Sequence, residues 1–167
     1  EFFVGCSIVG TVGVAVNFHS TAPEVAALME DCKPSGIVTE AVYLERLAEV
    51  PAIADLKLRL LADADAPNWQ NYQQAIGAAK PLHVNQDFDE YDPAMMVYSS
   101  GTTGQPKGIL LSHHGIVQNG KAMTRALGYR PGDRSMTLLP LFSSFGFAFD
   151  FIHVAVMRNS TVILKKF

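Results

Sequence analysis

The chain has 167 residues, 49% of them hydrophobic and 17% charged, with a formal net charge of −3. That is enough length and apolar content for one domain with a sizeable core, and it excludes a disordered segment. No Lys/Arg cluster exists beyond Lys165–Lys166, which excludes the basic footprint of a nucleic-acid binder.

In chain order, the first feature is Phe2 to Phe18, 17 residues without a charge. This is the short limit for a membrane-spanning helix. Three glycines and two hydroxyls interrupt it and no basic residue flanks it, so it reads as a buried helix (Phe2–Gly10) followed by a buried strand (Val12–Phe18). The segment is not expected to be a signal peptide, since the basic start and the cleavage-like site are missing from it. Glu1 begins inside an element without an initiator Met, so the sequence reads as an excerpt from a longer chain.

"STAPEVAALMEDC" predicts a helix: Thr21 can cap it, Pro23 suits the first turn, and Val25, Leu28, Met29 and Cys32 recur at helical spacing. "SGIVTE" is a short buried strand, "AVYLERLAEV" an amphipathic helix and "LKLRLLAD" a strand. Asn68–Ala79 reads as a helix in which Trp69 and Tyr72 serve packing. "PLHVNQDFDEYDP" is a polar connector, with Asp87, Asp89, Glu90 and Asp92 facing solvent, and it divides the chain into lobes 1–80 and 93–167. "AMMVYSS" is a strand. "SHHGIVQNGKAMTRALGY" is a helix ending near Gly128, "RSMTLLPLF" a strand, "GFAFDFIHVAVM" a well-buried helix and "STVILKKF" a last strand. The alternation predicts an α/β fold with a largely parallel sheet covered on both faces. Cys6 and Cys32 have no metal-ligand spacing and read as reduced core residues.

The most informative stretch is "YSSGTTGQPKG", Tyr98 to Gly108. Read as a loop between a strand and a helix, it is a phosphate-binding arrangement. Gly101, Gly104 and Gly108 let several backbone N–H groups converge on one anion. Ser99, Ser100, Thr102 and Thr103 add hydroxyl donors, and Lys107 adds a point charge suited to phosphate oxygens. Ligands of open α/β sheets sit at the carboxyl ends of strands, as this loop does. It is neither a Walker A loop, since Gly108 follows Lys107 and the spacing from Gly101 is wrong, nor a dinucleotide fingerprint.

"YSSGTTGQPKGILLSH" resembles the signature of the adenylate-forming superfamily, which includes acyl-CoA synthetases, 4-coumarate–CoA ligases, firefly luciferases and peptide-synthetase adenylation domains. "GTVGVAVN" with "APEVAALMEDCKPSGIVTE", "LLPLFSSFGF" and "NSTVILKKF" resemble further family segments in the same order, so the resemblance covers essentially the whole chain. The look is nearest the luciferase and coumarate/acyl-CoA ligase branch.

The resemblance implies part of the layered N-terminal domain of such an enzyme, with a mobile C-terminal domain elsewhere in the full-length chain. It implies a reaction in which a small-molecule carboxylic acid attacks the α-phosphate of Mg-ATP. Pyrophosphate leaves, and a thiol, usually coenzyme A, takes the acyl group from the acyl-adenylate. Carried over residue by residue, Ser99, Ser100, Gly101, Thr102, Thr103, Gly104, Lys107 and Gly108 contact the phosphates, with Thr102, Thr103 and Lys107 foremost. Phe142, Ser143 and Phe145 fall where the family lines its acyl pocket. Ser143 stands where many relatives have His, which puts substrate size and the thioester step in question, and Phe145 is equally well read as a core aromatic. The 167 residues alone are expected to be inactive. A luciferase-like or carrier-loading enzyme is the alternative within the family. A non-catalytic module that binds a nucleotide or partner is the alternative outside it, and a remnant that does not fold alone is a third reading.

The remaining candidates have plainer readings. His113 and His114 lack metal spacing and read as helix-start packing residues. Asp150 and His153 read as a mutually satisfied pair on an apolar helix. No metal-ligand set is expected.

Overall fold

The computed structural model describes residues 1–82, 87–99, 106–147 and 152–164. They form two compact units, Glu1–Phe18 with Val84–Phe167, and His19–His83. This differs from a division into 1–80 and 93–167: the first eighteen residues group with the later part because their strand finds its partner there.

The unit His19–His83 opens with helix α2 (Ala22–Cys32). Its start follows from local chemistry. The Glu24 carboxylate accepts from the backbone N–H of Thr21 at 2.7 Å and from the Thr21 hydroxyl at 3.1 Å, which ties down the first turn as a Thr-x-x-Glu start does. Strands β2 (Gly36–Thr39), β3 (Leu58–Leu61) and β4 (Gln70–Asn71) form a parallel sheet in that order. A 3₁₀ turn over Ala41–Tyr43 leads into α3 (Leu44–Ala48). The helix expected over Asn68–Ala79 starts later, as α4 (Tyr72–Ala78), because Gln70–Asn71 pairs with β3 and Asn68 takes φ +64°. Asn71 then caps α4, its side chain accepting from the Gln74 N–H at 3.0 Å. The core of this unit is Ala22, Val25, Met29, Leu47, Val50 and Ile53, with Trp69 packed against it as its packing role requires. Leu61 is fully buried.

The other unit begins with α1 (Phe2–Val9). Sequence reasoning expected a buried helix, yet Phe2, Val4 and Ile8 are 42%, 48% and 55% exposed. Phe3 turns inward, its ring 5.2 Å from that of Phe147. Among the described residues no helix is long and apolar enough to cross a membrane. Strand β1 is only Gly13–Ala15, shorter than Val12–Phe18, because pairing extends no further. It runs parallel to β5 (Pro93–Ser99), with Gly13 opposite Met95 and Ala15 opposite Val97.

The next element departs from the expected strand–loop–helix order. "KGILLS" is a strand, β6 (Lys107–Ser112), antiparallel to β5. Helix α5 (His113–Leu127) follows, its start capped by the Ser112 Oγ, which accepts from the Gly115 N–H at 3.1 Å. It ends at Gly128 with φ +68°, a left-handed position that glycine takes without strain. Strands β7 (Arg134–Thr137) and β8 (Ser160–Ile163) pair in parallel. Between them lie a helical turn over 144–147 and α6 (His153–Met157). Phe147, Ile152 and His153 are buried, whereas Phe145 is 53% exposed, so the helix expected over this stretch is buried only in part. The fold is thus α/β with mostly parallel pairs, β5–β6 being antiparallel. The core of this unit is Ala15, Met95, Val97, Phe147 and Ile152, joined by Phe3, Leu111, Ile116, Phe142 and Val156.

Candidate functional site

The β5–β6 pairing gives the glycine-rich stretch its setting. Ser99 lies opposite Lys107 and Tyr98 opposite Gly108. The two ends of the stretch are therefore held across one hairpin mouth, and not at the join of a strand and a helix. Ser100, Gly101, Thr102, Thr103 and Gly104 lie outside the described residues. Lys107 and Gly108 are exposed and Ser99 is half-buried.

Register decides which way Lys107 faces. Residues opposite each other in an antiparallel pair share a face, and alternate residues along a strand share it too. Met95–Leu111, Val97–Ile109 and Ser99–Lys107 are successive opposite pairs. Met95 and Val97 are core residues, and Leu111 packs on that core. Lys107 therefore lies on the core-facing side of the hairpin, beyond the end of the core. It is the side on which Phe142 and Phe147 pack.

The parallel β1–β5 pair fixes the edge. Both strands present their carboxyl ends together, so residues 16–18 leave the sheet beside the hairpin mouth. The Phe18 ring meets Phe142 edge-on, with centroids 5.3 Å apart at 84°. Phe142 is thereby brought to the carboxyl edge, where ligands of α/β sheets bind. Phe18 escaped sequence reasoning because it read as a strand end. An aromatic three residues past the strand's last residue, Ala15, was the available signal.

Ser143 is engaged in the backbone. Its Oγ donates to the Pro140 carbonyl at 2.8 Å and accepts from the Gly146 N–H at 3.0 Å. Its carbonyl accepts from the Phe147 N–H at 2.9 Å, and its own N–H donates to the Pro140 carbonyl at 3.1 Å. It is the cap of the turn over 144–147, a role that Ser fills well. The turn is tight: a Cβ on Gly146 would lie 2.3 Å from the Pro140 carbonyl oxygen.

The histidines are occupied. The His114 Nδ1 stands 3.0 Å from the Glu90 Oε2, and its ring stacks on Tyr91 at 4.8 Å. His113 stacks on Phe88 at 6.2 Å. Both serve the packing of the helix start. His153 is 1% exposed and stacks on Tyr129 at 4.3 Å; Asp150 lies outside the described residues. Asp87, Asp89, Glu90 and Asp92 are exposed. Cys6 and Cys32 are free thiols, half-buried where a core position was expected. Among the described residues no three His, Cys, Asp or Glu side chains group to hold a metal ion.

A family profile described as "AMP-binding enzyme" matches residues 1–167. The chain is 30% identical, over 99% of its length, to 4-hydroxybutyrate–CoA ligase 2 of Metallosphaera sedula, of which it spans 32%. It is 39% identical, over 77% of its length, to sulfoacetate–CoA ligase of Cupriavidus necator, of which it spans 24%. Among solved structures it is similar to ATP-bound MatB from Rhodopseudomonas palustris, with a TM-score of 0.84, 23% identity, and coverage of 99% of this chain and 32% of that one. This last likeness is one of fold. The chain thus spans at most about a third of the length of these relatives.

Proposed function

The chain belongs to the AMP-binding enzyme family, and from that premise we propose that the full-length protein is an ATP-dependent acid–CoA ligase whose phosphate-holding hairpin lies in this segment. The observation that carries the reading is the placement of Lys107 opposite Ser99 at the mouth of the β5–β6 hairpin, on the carboxyl edge of the sheet.

The reaction has two halves. A carboxylate oxygen attacks the α-phosphorus of ATP, the bond to the β-phosphate oxygen breaks, and pyrophosphate departs with that electron pair. A thiol sulfur then attacks the acyl carbon and loses its proton, the bond from that carbon to the bridging carboxyl oxygen breaks, and AMP leaves carrying that oxygen and the electron pair. Negative charge grows on pyrophosphate in the first half. A preorganised ammonium and a set of N–H and hydroxyl donors stabilise it there. Lys107 supplies the ammonium. Ser99 and Ser100, with Gly101, Thr102, Thr103, Gly104 and Gly108, supply the donors.

Phe142 and Phe145 line the apolar part of the acid. Ser143, with its hydroxyl committed to the cap, contributes a short wall. Magnesium arrives with ATP, as is usual for an ion that keeps most of its ligands as water and phosphate. Among the described residues no three His, Cys, Asp or Glu side chains group to hold it. The C-terminal domain implied by the resemblance completes the site in the full-length chain. Coenzyme A is favoured as acceptor over a carrier protein or luciferase chemistry because both curated relatives described above are CoA ligases.

The test is ATP–pyrophosphate exchange by the full-length protein across a panel of carboxylic acids. Acid-dependent exchange is expected, lowered by Lys107→Ala about 100-fold or more. ATP binding without exchange for any acid would favour the non-catalytic module. Exchange that ignores Lys107→Ala would remove the lysine from its role.

A further inference from the structure

We propose that Glu90, Tyr91 and His114 are positioning residues: together they clasp the open end of the β5–β6 hairpin, fix its register and thereby aim Lys107. The inference rests on the phosphate-holding role given to Lys107 above.

The hairpin has a closed end, carrying the glycine-rich stretch, and an open end near Pro93 and Ser112. Its ladder is irregular at the open end. Pro93 lies opposite Ser112 but Met95 lies opposite Leu111, so two steps along β5 answer one along β6. Pro93 also has no N–H to donate. At such a bulge one residue is left unpaired and the ladder is locally disrupted. A slip by one residue would carry Lys107 from the side of Ile109 and Leu111 to the opposite face of the sheet.

Beyond the bulge the connector takes over. The His113 N–H donates to the Asp92 carbonyl at 3.2 Å, and the His114 N–H donates to the Glu90 carbonyl at 2.7 Å. The His114 Nδ1 pairs with the Glu90 Oε2 at 3.0 Å, and the Tyr91 ring stacks on the His114 ring, 24° from parallel. The connector is itself held in a turn: the Tyr91 N–H donates to the Asp89 Oδ1 at 2.9 Å, and the Asp92 N–H donates to the Asp89 carbonyl at 2.9 Å. On the other side, His114 belongs to a helix start already capped by Ser112. The clasp therefore joins two locally ordered pieces across the point where the ladder fails. None of its three side chains lies at the hairpin mouth, so they act through the register.

The test compares two double variants of the full-length protein. Glu90→Ala with Tyr91→Ala removes the side-chain partners of His114. Glu90→Gln with Tyr91→Phe keeps an acceptor and a ring. All four changes fall on exposed positions, so both proteins fold. Amide hydrogen exchange across 107–112 is expected to quicken about tenfold in the alanine pair and to stay within about twofold in the conservative pair. In ATP–pyrophosphate exchange the alanine pair should raise KM for ATP about fivefold and leave KM for the acid unchanged, with the conservative pair restoring the ATP value. Unchanged protection of 107–112 in the alanine pair overturns the clasp. Faster amide exchange with an unchanged KM for ATP overturns its positioning role. Absence of pyrophosphate exchange by the wild type overturns the functional reading and the aim at ATP with it, while the amide data alone then decide whether the register is held.

Discussion

Gly146→Ala should destabilise the protein by about 2–4 kcal/mol, through a single methyl group. The added Cβ would lie 2.3 Å from the Pro140 carbonyl oxygen, 2.9 Å from the Pro140 carbonyl carbon and 3.0 Å from the Leu139 carbonyl oxygen. All three are backbone atoms, so no side chain can swing aside. An ordinary contact requires a shift of about 1 Å, and overpacking of this kind costs about 1–3 kcal/mol. The carbonyl that must move is also the acceptor for the Ser143 N–H and Oγ. Loosening these two hydrogen bonds adds about 1 kcal/mol. Gly77→Ala is the control. Nothing lies within 4 Å of its Cβ position, in the last turn of α4. The same change there should be neutral or stabilising, by up to about 1 kcal/mol. Urea unfolding of both variants, followed by circular dichroism, reads the two signs side by side. Equal midpoints for Gly146→Ala and wild type would refute the reasoning, because the turn over 144–147 would then open at no cost.

Other consequences are as direct. Leu61→Ala, at a fully buried position, should cost about 2–5 kcal/mol in the same unfolding assay. Ser143→Ala should cost about 1 kcal/mol, and Ser143→Asp, which keeps a cap acceptor for the Gly146 N–H, should recover most of it. The purified 167-residue chain should release no AMP from ATP in the presence of acids. Release abolished by Lys107→Ala would show that the segment is a sufficient catalyst.

Where local chemistry decides structure, the sequence was legible. Thr21, Pro23 and Glu24 announce the start of α2, and Gly128 announces the end of α5. The loop's signature carried the family resemblance, which the family profile over residues 1–167 bears out; the phosphate-holding role of its hydroxyls, glycines and lysine is the proposal made above. What could not be read locally depends on partners far along the chain. "ILL" is a short apolar run, and periodicity does not separate a strand from a helix lead-in at that length. It became a strand by pairing with β5. Gln70–Asn71 became a strand by pairing with β3, against its composition. Ser143 was read for its chemistry, although a Ser directly before a helical turn is also a capping signal. The link between Glu90 and His114 spans 24 positions and has no sequence signature at all.

The β1–β5 pair also sets a timetable for biosynthesis. Met95 follows Gly13 by 82 positions, and the whole of the unit His19–His83 is encoded between them. At about 5–20 residues per second, β1 leaves the ribosome roughly 4–16 s before its partner. During that interval β1 lacks the β5 partner that it has in the folded sheet, whereas β5 and β6, adjacent in sequence, can meet within microseconds of emerging. The unit His19–His83 can form while β1 waits, since its parallel sheet draws only on its own residues. Of the three strands of this sheet, β1 is accordingly the one that a chaperone engaging the nascent chain has the longest opportunity to bind.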